Sequence, residues 1–140
     1  MALISRYILD TSAAARIRHP DVAARLAPLI EAGLVATTAS LDAEALYSPR
    51  NPVEYEQLWA DHRVAYKYLP TEGEHLQAAL KAQRELARQG RHRAVGIPDL
   101  LTAVLAAEHG LTVVHYEADF ETAATVVAFE QVWVMPRGSL

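Results

Sequence analysis

The stretch Leu100-Leu101-Thr102-Ala103-Val104-Leu105-Ala106-Ala107 would be apolar on nearly every side of a helix. A helix without a polar face is stable only inside a fold, so the other elements must be arranged around it. Pro98 and Asp99 open it and Glu108-His109-Gly110 closes it, with Gly110 as the left-handed stop. Leu111 to His115 then forms a strand that delivers Tyr116-Glu117-Ala118-Asp119-Phe120.

The rest of the chain alternates in the same way. Tyr7-Ile8-Leu9 is a short buried strand ending on Asp10, Thr11 and Ser12, and Ser12 to Arg18 has helical composition. A helix from Asp21 to Ala32 places Val22, Leu26, Leu29 and Ile30 on one face and stops at Gly33. Leu34 to Thr38 is a second strand; Ser40 can cap the following helix, which turns Leu41, Ala45 and Leu46 inward. After the turn Ser48-Pro49-Arg50-Asn51-Pro52, a helix runs from Val53, and Tyr66 to Leu69 is a strand stopped by Pro70. A longer helix, about Glu72 to Gln89, is expected to bury Leu76, Ala79, Leu80, Gln83, Leu86 and Ala87, leaving Lys81, Arg84 and Arg88 solvated. A helix to about Val127 and a strand from Val132 to Met135 complete the series. Such alternation predicts an α/β fold with three layers: a mostly parallel central sheet of four to five strands and helices on both faces.

Composition narrows the function. With 140 residues, 51% of them hydrophobic, residues 1–140 suit one domain with a real core. There is no cysteine, hence no disulfide framework and no thiolate chemistry. The start, Met1 to Arg6, lacks the apolar core of a signal peptide, and no run approaches the ~20 apolar residues that span a bilayer, so a soluble cytoplasmic protein is expected. A net charge of -4 gives no global attraction to nucleic acid. A cluster of acids holding divalent cations would account for much of that excess.

Four acids can form such a cluster. Asp10 and Asp119 follow strand ends, Asp99 opens the central helix, and Glu44 lies near the start of another. In a parallel sheet, strand carboxyl ends and the amino ends of the connecting helices face one edge, so these acids converge there. Several carboxylates together need a cation or raised pKa values. Oxygen ligands without His or Cys select Mg²⁺ or Mn²⁺ over zinc, and the matching chemistry is a metal-activated water attacking a phosphodiester.

Ile8-Leu9-Asp10-Thr11-Ser12, Glu44, Ile97-Pro98-Asp99-Leu100-Leu101-Thr102-Ala103 and His115-Tyr116-Glu117-Ala118-Asp119-Phe120, in this order and spacing, resemble the PIN-domain ribonucleases, and more narrowly the VapC-type toxins of bacterial toxin–antitoxin pairs. The resemblance covers essentially the whole chain. It implies a PIN-like fold and a Mg²⁺- or Mn²⁺-dependent endoribonuclease that cuts structured RNA such as tRNA or rRNA and halts translation. It also implies a homodimer silenced by a small cognate VapB-type antitoxin. Carried over by position, Asp10, Glu44, Asp99 and Asp119 are the catalytic acids, with Asp10, Asp99 and Asp119 holding the metal. Ser12 supports the site. Glu117 stands where the group often has an aspartate, and Thr102 where an apolar residue is more usual, so both are expected to support or pack beside the site.

Arg91 and Arg93, in the basic loop before Asp99, are candidates to grip RNA phosphates, against the plainer reading of a flexible basic loop. His115 is expected to be buried and hydrogen-bonded; His19, His62, His75 and His109 show no ligand spacing. Tyr55, Trp59, Tyr66 and Tyr68 belong to core or interface. Two other classes compete with the nuclease. A phosphatase of the haloacid-dehalogenase type wants a second Asp two positions after Asp10, where Ser12 stands. A non-catalytic, PIN-like or receiver-like binding module of the receiver kind wants a pair of adjacent acids before the first helix, and none is present.

Overall fold

The computed structural model describes residues 5–140; of the start read above for a leader, Met1 to Ile4 lie outside them. The elements are β1 (Tyr7–Leu9), α1 (Thr11–Ala14), α2 (Pro20–Glu31), β2 (Val35–Thr37), α3 (Ala39–Ala45), α4 (Pro52–Ala65), β3 (Lys67–Tyr68), α5 (Gly73–Ala87), α6 (Ile97–His109), β4 (Thr112–His115), α7 (Asp119–Ala123) and β5 (Glu130–Trp133). The five strands form one sheet in the order β3-β2-β1-β4-β5, and every pairing is parallel. The chain therefore works outward from β1 on one side and restarts on the other with β4. Ligand crevices in open parallel sheets form where the order reverses in this way, here between β1 and β4.

Successive strand residues point to opposite faces, and the core divides accordingly. Ile8, Ala36 and Val113 pack on one face with Ala106, Leu111 and Phe120, whereas Leu9, Val35 and Val114 pack on the other with Ala13, Val22 and Leu26. The central helix is α6: Leu100, Leu101, Thr102, Ala103, Leu105 and Ala106 are all buried. Its Gly110 C-cap has φ 66°, and Gly33 after α2 has φ 71°, the left-handed conformation that glycine adopts without a Cβ clash. Thr102 is packed, its hydroxyl donating to the Pro98 carbonyl one turn back at 3.1 Å.

Several local expectations change. The helix after Asp10 lasts only from Thr11 to Ala14. Thr38, not Ser40, caps α3, its hydroxyl accepting from Leu41 N at 3.2 Å, while Ser40 lies within the helix. The face of α5 that meets α6 is His75, Ala79, Ala82 and Leu86; Leu76 and Leu80 are about half exposed, at 49% and 52%, and Ala87 is exposed as well. Small alanines let α5 approach the crowded α6 closely, and that contact outweighs burial of the two larger leucines. The last strand begins at Glu130 because its register pairs Thr112–His115 with Glu130–Trp133. Tyr55, Trp59 and Tyr68 remain largely exposed.

Candidate metal centre

The site lies at the carboxyl ends of β1 and β4, where α6 presents its amino end. Asp10 leaves β1 in extended conformation, caps α1 and is almost fully buried. Its Oδ2 accepts from Ser12 N at 2.9 Å and from Ser12 Oγ at 2.6 Å. The same Ser12 oxygen accepts from Tyr116 N at 2.9 Å. Ser12 thereby ties the exit of β1 to the exit of β4, and the segment that carries Glu117 and leads to Asp119 at the start of α7 is fixed relative to Asp10.

Asp99 occupies the first turn of α6, whose N-cap residue Gly96 offers no side-chain cap. One carboxylate oxygen each from Asp99, Glu117 and Asp119 lies within 4.8 Å of the others. Asp10 and Glu44 fall outside that triplet, and their charges still reach it. Burial, followed by the charges of Asp10, Glu117, Asp119 and Glu44, pushes the Asp99 carboxyl up to about 8. Glu117 rises to about 7, chiefly through burial, then through the charge of Asp119 and a hydrogen bond to it. Glu44 is anchored from the side, its Oε2 accepting from Thr11 Oγ1 at 2.7 Å.

All four acids picked out in the sequence thus come to one edge. Glu117, expected to play a supporting part, has its carboxylate in the tight triplet, while Asp10, gripped by Ser12, exerts the largest of the neighbouring charges on Asp99. Thr11 was missed, although its position between Asp10 and Ser12 was a sufficient signal. Arg91 and Arg93 are exposed on the loop that leads into α6, and Arg91 Nη2 reaches Thr122 Oγ1 at 3.3 Å. A second acid–His group, Glu74, His75 and Glu108, lies at the other end of α6. There His75 is occupied structurally: Nδ1 accepts from Glu72 N at 2.8 Å and Nε2 bonds Glu108, joining α5 to α6.

The triplet fits a small hard cation. It offers carboxylate oxygens alone, without the imidazole or thiolate donors that favour zinc. Its like charges are also uncompensated: at 4.8 Å each ionised pair would repel by roughly 3.5 kcal/mol at an effective dielectric near 20. Retained protons relieve that repulsion, and a divalent cation would relieve it better.

The PIN domain family model matches residues 7–126, from β1 to just past α7. Ribonuclease VapC51 of Mycobacterium tuberculosis is 40% identical over 135 residues, 96% of this chain and 97% of its own length. Ribonuclease VapC21 of the same organism is 38% identical over 137 residues, 98% and 99% of the two chains. Among solved structures, DNA-bound VapBC from Salmonella typhimurium aligns with a TM-score of 0.71 at 19% identity, covering 94% of this chain and 100% of that one. At that identity the likeness bears on the fold. Among the described residues, no helix is long and apolar enough to cross a membrane.

Proposed function

The chain belongs to the VapC ribonucleases of the PIN-domain family, and on that premise we propose that it is the toxin of a toxin–antitoxin pair, hydrolysing RNA at the Asp99 cluster with Mg²⁺ or Mn²⁺. The observation that carries this reading is the convergence of the Asp99, Glu117 and Asp119 carboxylates within 4.8 Å. Burial and mutual repulsion, which raise the carboxyls of Asp99 and Glu117, set this group apart from a solvated acidic patch and suit it to a cation. A cation bound there would supply an activated water and positive charge for the leaving oxygen.

The division of labour follows from the contacts. Asp99, Glu117 and Asp119 would hold the cation together with Asp10, which Ser12 keeps in place and whose charge acts most strongly on Asp99. Glu44, outside the triplet and steadied by Thr11, orients or deprotonates the attacking water. Arg91 and Arg93, exposed beside the opening of α6, take up phosphates flanking the scissile bond. The substrate is structured RNA of the tRNA or rRNA kind, cut in the cytoplasm. The protein works as a homodimer held silent by a VapB-type antitoxin, and the VapBC structures among its structural neighbours support that partnership.

Purified, antitoxin-free protein incubated with total cellular RNA tests the reading. Discrete fragments are expected with Mg²⁺ or Mn²⁺, none with EDTA, and none from the Asp99→Asn variant. Cleavage that persists in EDTA, or undiminished cleavage by the variant, would remove the cluster from the mechanism.

A further inference from the structure

His115 ends β4 with no exposed surface. Its ring lies against Phe120 and Trp133, with centroids 4.9 and 5.0 Å away. Both ring nitrogens are engaged: Nε2 meets Gln131 Oε1 of β5 at 2.6 Å, and Nδ1 meets the backbone N–H of Glu117 at 3.1 Å. The Glu117 amide can only donate, so Nδ1 must offer its lone pair. The hydrogen then sits on Nε2, where the Gln131 oxygen accepts it. Only the neutral Nε2–H tautomer satisfies both contacts; a hydrogen on Nδ1 would point at another hydrogen.

We propose that this imidazole is a positioning residue for the metal centre, holding the Glu117 backbone so that the Glu117 and Asp119 carboxylates face Asp99. Two successive amides are fixed at the strand exit, Tyr116 N by Ser12 Oγ and Glu117 N by His115 Nδ1. Together they set the direction in which the chain leaves β4 and therefore where the two acids point. An apolar side chain of similar size would fill the same space and leave the Glu117 amide without its acceptor. Gln131 acts one step further back, selecting the tautomer that can accept. The proposal rests on reading the acid triplet as a cation site.

Three variants separate positioning from packing. In His115→Asn the side-chain oxygen can accept from the amide two residues on, an Asx turn that keeps the bond to Glu117 while losing the one to Gln131. His115→Leu keeps bulk and loses the acceptor. Gln131→Met leaves the ring in place and frees its tautomer. The readouts are the Mn²⁺ dissociation constant by calorimetry, the thermal midpoint, and the ring tautomer from long-range ¹H–¹⁵N spectra.

Positioning predicts that the Leu variant binds Mn²⁺ about tenfold or more weakly while the Asn variant recovers most of that loss, whatever the order of their thermal midpoints. Gln131→Met should weaken binding in step with the appearance of Nδ1–H in its spectra. If the Leu and Asn variants bind Mn²⁺ alike, the proposal is overturned. Should the Leu variant not fold, unchanged affinity in Gln131→Met despite a mixed tautomer overturns it equally. Wild-type protein that fails to bind Mn²⁺, or an Asp99→Asn variant that binds as well as wild type, refutes the cation site itself and is distinct from either result.

Discussion

Replacing Asp99 by Asn should make the metal-free protein more stable at neutral and alkaline pH. The carboxyl is moved from the ordinary 3.8 to about 8 by burial and by four neighbouring acids. Between those values the unfolded chain releases a proton that the folded chain keeps, so the native state binds more protons and stability falls as pH rises. The loss begins near 3.8, grows until about 8 and is constant above it. At ~1.4 kcal/mol for each tenfold step the full penalty approaches ~6 kcal/mol, and partial solvent access to the carboxylate reduces it to about 2–3 kcal/mol. Asn has no proton to keep. At roughly 3 °C per kcal/mol for a domain of this size, Asp99→Asn should melt about 6–9 °C higher than wild type above about pH 8 in EDTA. The difference should vanish near pH 4. Saturating Mn²⁺ should reverse the order, because it stabilises the wild type through the acids and finds a weaker seat in the variant. Thermal melts across that pH range, with EDTA and with Mn²⁺, test each part. A variant equal to or less stable than wild type at high pH in EDTA would falsify the account of a strained acid cluster.

Other consequences follow from the same contacts. Mn²⁺ binding near pH 6.5 should release protons from Asp99 and Glu117, with less release above about pH 9; calorimetry in buffers of different ionisation enthalpy counts them. Ser12→Ala removes both the donor to Asp10 and the acceptor for Tyr116 N, so it should cost about 1–3 kcal/mol in denaturant melts and weaken Mn²⁺ about tenfold or more. Thr11→Val should lower kcat for RNA cleavage while leaving Mn²⁺ affinity in place, since Glu44 lies outside the triplet. Ala79→Leu, at the α5–α6 contact, should destabilise by about 1–3 kcal/mol through overpacking, read from chemical melts.

Much of the site was legible because topology fixes it before packing does. Once strands and helices alternate in a parallel sheet, Asp10, Asp99 and Asp119 must reach the same edge, whatever surrounds them. Gly33 and Gly110 were legible for a related reason, since a left-handed residue at a helix end is a local need. What resisted reading depended on partners distant in sequence. The direction of Glu117 is decided by the tie from Ser12 to Tyr116, across 104 positions, and by the ring of His115, whose tautomer is selected by Gln131, 16 positions on. The inward face of α5 is decided by how closely α6 can be approached, so alanines displaced Leu76 and Leu80 from it. Thr38 won the cap of α3 from Ser40 because β2 ends one residue earlier than its apolar pattern suggests.

The acids of the cluster are also held differently, and that difference bears on how the site works. Asp99 stands on a helix whose next four residues, Leu100 to Ala103, are buried, so repulsion cannot swing it away without lifting α6 from the core. Asp10 is bound twice by Ser12 and sits under equal constraint. Repulsion within the cluster therefore appears as retained protons rather than as displaced side chains. A divalent cation bound there would replace those protons on carboxylates already held in position, so little of its binding energy would go into ordering the chain. The apolar helix that fixes the fold would thus also fix the affinity and pH range of the proposed metal centre: a polar substitution at Leu100, Leu101 or Ala103 should loosen both together.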